Sequence, residues 1–430
     1  MKASDYAWGH GDDSFDVTHY DLDLSCNVST NRITGTATLT CVAREDLDEF
    51  HLDLYVLKTG KVRVDGAVAK VSHKGVRLKV KPASAISAGS EFTVEVPYSG
   101  KPKPVPGQFG AAGWEELTDG IMVTSQPYGA PSWFPCNDRP TNKASYRVTV
   151  SYGGSYWASG NGEAVKHVAR GGQHKWVFEQ PEPMATYLAA LHIGAGVQRP
   201  VPSEASVPVE IVAPPMVNVG VGSSFERQGE MVAVFEELFG PYPFALYRAV
   251  VAEDALEIPL EAQGMSLFGA NHAVAGWANE RLVAHELSHQ WFGNCVTVGH
   301  WRDIWLHEGF ACYAEWLWSE ASGGRKVAAH AQEHGRRLAA LGVKGPLVDP
   351  GPSRMFDDWV YKRGALTLHA LRAEVGDEAF FTIVREWVAR NRYGVVATDD
   401  FIALAEEVAG RKLTELFDAW LFTAKLPTVP

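Results

Sequence analysis

The feature that most constrains this chain of 430 residues is a change in the spacing of its apolar residues near residue 200. Before that point short runs alternate apolar with polar residues: His19–Val28, Thr34–Ala43, Glu91–Tyr98, Ser145–Tyr152 and His174–Gln180. A period of two puts every second side chain on one face of a strand, so these runs predict an antiparallel sheet or sandwich. After the stretch Gln198-Arg199-Pro200-Val201-Pro202-Ser203 and one further strand, Val207–Ala213, the period becomes helical. It is helical in Arg227–Phe239, Ala278–Phe292, Ile304–Ser319, Ala328–Leu341, Gly364–Val375, Asp377–Ala389 and Thr398–Val408. The expected fold class is therefore α+β, with an antiparallel β domain over residues 1–200 and a mainly helical domain over 201–430.

Composition narrows the functional classes. Apolar residues at 46% and charged residues at 21% describe an ordinary globular protein. The net charge of −12 argues against a sequence-independent grip on nucleic acid or on an anionic membrane face. The opening Met1-Lys2-Ala3-Ser4-Asp5 has no apolar core of a leader peptide, and no run approaches the ~18 apolar residues of a membrane span. A cytoplasmic protein is the expectation. Five cysteines (Cys26, Cys41, Cys136, Cys295, Cys312) form no CxxC pair, and their odd number, dispersed along the chain, predicts buried thiols rather than a disulfide framework.

Within the second helical stretch the sequence reads His285-Glu286-Leu287-Ser288-His289. Spacing of i, i+4 stacks two imidazoles one turn apart on one face, where both can reach one ion. Chance alone yields this pattern about 0.03 times in a chain of this length and composition. An exposed polar helix face is the alternative reading. A catalytic zinc needs a third protein ligand and an open position, and Glu308, in the next helix, can supply that ligand. A third histidine six residues after His289 is excluded, because Cys295 stands there. His300 reads as a loop histidine. Asp303 is either an orienting partner of a liganding imidazole or an acidic residue at a helix start.

The blocks HELSHQWFGNCVT and WRDIWLHEGFACYAE, with Glu308 19 residues after His289, resemble the zinc aminopeptidases of the aminopeptidase N and leukotriene hydrolase family, the gluzincins. Trp133-Phe134-Pro135-Cys136-Asn137-Asp138 is similar to that family's FPCFDEP segment, and Val360-Tyr361-Lys362-Arg363-Gly364-Ala365 to its VYEKGA segment. The resemblance implies an N-terminal β-saddle domain and a thermolysin-like catalytic domain, without the family's C-terminal helical domain. It implies one zinc per chain held by His285, His289 and Glu308, Glu286 as general base, Tyr361 as donor to the oxyanion, and peptides with a free N-terminus as substrates. Two departures stand out. The family's GAMEN strand reads Ile258-Pro259-Leu260-Glu261-Ala262, leaving Glu261 to meet the substrate amine, and its Gln-x-Glu pair keeps Gln126 but has Tyr128 for the acid. Removal of N-terminal residues from peptides is the expected activity. The competing readings are a metalloendopeptidase, should Glu261 not face the amine, and a non-catalytic peptide-binding protein.

Overall fold

The computed structural model describes Tyr6 and residues 10–430, so the Met1–Asp5 stretch lies outside the described residues. The chain divides into two compact units. The first comprises the described residues up to Arg199 with Glu210–Val217 and Phe244–Asn271, and the second comprises Pro200–Val209, Asn218–Pro243 and His272–Pro430.

The first unit is built on the alternating runs. β1 (Phe15–Asn27) and β2 (Arg32–Ala43) pair antiparallel, β2 pairs antiparallel with β3 (Glu91–Gly100), and β1 runs parallel to β5 (Lys143–Gly153). β5 pairs antiparallel with β6 (Gln173–Ala185) in the same nine-stranded sheet. Tyr20, Leu22 and Leu24 on β1 are fully buried while their sequence neighbours face outward, as a period of two requires. Tyr20 stacks on its cross-strand partner Tyr146 at 4.8 Å and takes Phe134 edge-on at 5.5 Å. Such pairs add ~0.5–1.5 kcal/mol each to area burial. A second sheet of five strands includes β4 (Gly120–Thr124) beside β7 (Leu191–Gly194). A third places β8 (Tyr247–Ala252), β10 (Met265–Gly269) and β9 (Leu260–Ala262) in that order, so β9 ends the sheet. Pro259, just before β9, sits where a missing N–H costs no ladder bond.

The second unit carries the helices α1 (Gln228–Phe239), α2 (Trp277–Ser288), α3 (Trp305–Ala321), α4 (Val327–Leu341), α5 (Asp358–Val375), α6 (Asp377–Arg390) and α7 (Thr398–Ala409). All of α3 from Trp305 to Ser319 is buried. A helix buried on all sides belongs at the centre of its packing layer, and α2 and α5 lie against it. α3 and α5 touch backbone to backbone at Gly309 and Gly364. A Cβ on Gly364 would stand 2.6 Å from Gly309 Cα, and one on Gly309 would stand 2.8 Å from Gly364 Cα. α5 starts six residues before the expected Gly364, capped by the Asp357 carboxylate, which accepts from Trp359 N at 2.8 Å. Beyond α7 the chain closes in a π-helical turn, Asp418–Phe422. Arg363, fully buried, donates to the carbonyls of Ala419 (3.1 Å), Trp420 (2.8 Å), Thr423 (2.5 Å) and Ala424 (3.2 Å), and to Gly345 O (3.0 Å). All five cysteines are buried, free thiols. Among the described residues, no helix is long and apolar enough to cross a membrane.

Candidate active site

The last turn and a half of α2, from Val283 to Ser288, is buried, and it carries His285 and Glu286, with His289 following in helical conformation as the C-cap. Placing polar side chains there is tolerable only with partners supplied. For the imidazoles those partners are visible. Nδ1 of His285 meets Glu315 Oε1 at 2.8 Å, and Nδ1 of His289 meets the Phe292 carbonyl at 2.9 Å. Each contact places a proton on Nδ1 and leaves Nε2 as the nitrogen that can ligate. Both Nε2 atoms face one carboxylate oxygen: Glu308 Oε2 lies 3.3 Å from that of His285 and 3.5 Å from that of His289. Glu308 stands in the first turn of α3, where the helix dipole favours a negative charge.

Ligand atoms of His285, His289 and Glu308 all fall within 4.8 Å of one another, and all three residues are buried. Two imidazole nitrogens and a carboxylate oxygen, with outer hydrogen bonds already fixing the tautomers, fit a zinc ion that keeps one position open. The electrostatics agree. Burial opposes ionisation of Glu308, yet His289 and His285 beside it hold the carboxyl well below its usual range. Burial would depress His285, but its hydrogen bonds to Glu308 and Glu315 raise it to about 9, so its Nε2 also carries a proton at neutral pH that a cation bound there would displace. Glu308 and Glu315 supply the negative charge that would favour the cation.

Glu286, next along α2, is 4% exposed. Tyr361, in the first turn of α5 and half-buried, lays its ring parallel to His285 at 5.8 Å, which puts the phenol beside the imidazole pair. In the first unit Gln126 Nε2 donates to Glu261 Oε1 at 2.6 Å, joining two residues 135 positions apart. Glu261 is buried on β9, opposite Ser266 of β10. Tyr128 is tied elsewhere. Its hydroxyl donates to Gly110 O at 2.9 Å and accepts from Phe109 N at 3.3 Å. Within the first unit the structure joins Gln126 to Glu261, and within the second it brings His285, His289, Glu308 and Tyr361 together.

Asp303 does not orient a liganding imidazole. It accepts from Thr398 Oγ1 at 2.6 Å and lies 3.5 Å from Arg302 Nε. His300 Nδ1 accepts from Arg302 N at 3.0 Å and caps the turn Trp301–Asp303. The carboxylate behind His285 is Glu315, which the sequence reading passed over although it stands two helical turns after Glu308 on the same face. Arg281 Nη1, 3.4 Å from both Glu315 oxygens, and Lys362 Nζ, 3.9 Å from one, complete its surroundings. The spacing Glu308, Cys312, Glu315 was the available signal.

Two family models match the chain. Residues 17–188 match the peptidase M1 N-terminal domain and residues 223–420 the peptidase family M1 domain. The chain is 23% identical to the mitochondrial aminopeptidase 2 of Saccharomyces cerevisiae and 25% identical to a leucyl aminopeptidase of Saccharolobus solfataricus, each over 96% of its length. It spans 46% and 54% of those two proteins. Among solved structures it is similar to an M1 zinc metallopeptidase of Deinococcus radiodurans, as a glutamate-to-alanine mutant, with 29% identity, a TM-score of 0.90 and full coverage of both chains. The same mutant bound to a Tyr-Ser-Ala substrate superposes with a TM-score of 0.91, at 29% identity, over 100% of this chain and 99% of that one. With both domain models matched in chain order, the chain belongs to peptidase family M1.

Proposed function

We propose that this protein is a zinc aminopeptidase that removes single residues from the free N-terminus of peptides, with an N-terminal β domain over 1–200 and a catalytic domain over 201–430. The observation that carries the reading is the convergence of His285 Nε2, His289 Nε2 and Glu308 Oε2 with both Nδ1 atoms already engaged. These three residues would hold the zinc. Bound there, the ion supplies Lewis acidity toward the scissile carbonyl and toward water. Glu286 takes the proton from the attacking water and passes it to the leaving amine, a task suited to a buried carboxylate next to the ligand histidines. The Tyr361 phenol donates to the oxygen on which negative charge develops. Glu261 accepts from the substrate's α-ammonium, and Gln126, bonded to its Oε1, fixes the carboxylate's orientation. Because the Tyr128 hydroxyl is committed to Phe109 and Gly110, one carboxylate carries the amine. Five free thiols support a reducing compartment, so we place the protein in the cytoplasm. The test is a panel of aminoacyl-p-nitroanilides beside N-acetylated controls, run on protein of measured zinc content. Turnover confined to free-amine substrates, at one zinc per chain, supports the reading. Internal cleavage of acetylated peptides at comparable rates overturns it.

A further inference from the structure

Lys362 is the only buried lysine among the described residues. It follows Tyr361 on α5, at the position where the similar VYEKGA segment has glutamate. A buried ammonium is costly unless partnered, and its partners are well defined. Nζ donates to Cys312 Sγ at 3.0 Å and lies 3.9 Å from Glu315 Oε2. The other oxygen of Glu315 meets Nδ1 of His285 at 2.8 Å. Arg281 also approaches Glu315, at 3.4 Å, but its side chain is 36% exposed and its charge is screened by solvent. Lys362 is the charge that the carboxylate feels through protein rather than water.

We propose that Lys362 is a positioning residue for the metal: by neutralising Glu315 in a dry setting, it keeps that carboxylate aimed at Nδ1 of His285, so the Nε2 lone pair stays directed at the cation. The inference rests on the zinc reading above and extends it to a residue that touches neither metal nor substrate. Without the ammonium, nothing on that side holds Glu315 against a turn toward Arg281, and His285 loses the acceptor that fixes its tautomer and ring angle.

The probe is zinc alone, titrated by chelator competition into the metal-stripped full chain. The proteins compared are wild type, Lys362→Met, Lys362→Arg, Glu315→Gln and the double variant Glu315→Gln/Lys362→Met. Lys362→Met should weaken zinc binding by about 10–100-fold, the usual effect of losing an outer partner of a ligand. Lys362→Arg should recover most of that loss, and Lys362→Met should add nothing on the Glu315→Gln background, because its effect runs through that carboxylate. Wild-type affinity in Lys362→Met, or an equal loss with and without Glu315, overturns the proposal. If the single variant does not fold, the double variant, which leaves no unpaired buried ion of this pair, is compared with Glu315→Gln alone. Equal affinities support the proposal, and a further loss of about 10-fold or more overturns it. Failure of wild-type protein to bind zinc would refute the proposed function itself, a result separate from these.

Discussion

Gly364→Ala tests whether the backbone contact between α3 and α5 sets the site's dimensions. The added Cβ would stand 2.6 Å from Gly309 Cα and 3.3 Å from Gly309 N. Ordinary contact begins at about 3.4 Å, so the helices must part by ~0.8 Å. No flexible side chain can yield instead, because the obstacle is backbone. Overpacking costs ~1–3 kcal/mol, and the better helix propensity of alanine returns ~1 kcal/mol, leaving a net loss of ~0–2 kcal/mol. For a unit of this size that lowers Tm by at most roughly 8 °C. The effect on turnover should be larger. Glu308 adjoins Gly309 on α3, Tyr361 lies three residues before Gly364 on α5, and a functional constellation tolerates only ~0.5 Å of misplacement. A displacement near 1 Å can cost ~10²-fold in kcat. Thermal unfolding of the metal-stripped and zinc-loaded forms, with kcat on the best aminoacyl-p-nitroanilide, measures both effects. A variant as stable and as active as wild type would show that the helices slide past the methyl group and that their contact does not position the site.

Glu286→Gln should retain zinc and lose about 10²–10⁴-fold in kcat, and Tyr361→Phe should retain zinc and lose about 10²–10³-fold; metal analysis with steady-state kinetics decides, and near-normal turnover in either removes its assigned role. Glu261→Ala should lower kcat/KM for free-amine substrates by the equivalent of ~1.5–3 kcal/mol, while Gln126→Ala, which removes only the brace on that carboxylate, should cost less; an unchanged kcat/KM in Glu261→Ala would rule out the pairing with the substrate amine. His192 on β7 is buried, and burial depresses it from 6.5 to about 4. The unfolded side chain takes up a proton below about pH 6.5 and the folded one only near 4, so stability is full above 6.5 and falls by ~3 kcal/mol as pH drops to 4. His192→Leu should flatten that part of the curve, as read from urea unfolding midpoints across the range, and an unaltered slope would assign the acid sensitivity to other groups.

The metal-ligand helices were legible in the sequence because their signal is local: i, i+4 spacing in α2 and an apolar run through α3. The early start of α5 was not. Lys362 and Arg363 interrupt its apolar stripe, yet both are buried, one against Cys312 and Glu315 and the other against backbone carbonyls. Periodicity treats charge as exposure, and it fails where a fold gives a charge an interior partner. Strands β8 and β10 were missed for a different reason. They are short, and runs such as Ala249-Val250-Val251-Ala252 suit a buried strand or a helix turn equally well. Their pairing is non-local too, so no neighbouring residue announces that Phe244–Asn271 packs with the first unit. Glu261 was readable by resemblance alone, whereas its bond to Gln126 needed the tertiary structure.

The grip of Arg363 on the carbonyls of residues 419–424 gives the protein a mechanical polarity. A load applied at Pro430 meets Gln332 of α4, which donates to the Val429 and Pro430 carbonyls, and beyond it a guanidinium two residues from Tyr361, on the helix that also carries Lys362. Tension that reaches Arg363 bears on α5, the helix that carries Tyr361. A chain immobilised through residue 430 should therefore lose turnover at loads below those that unfold it.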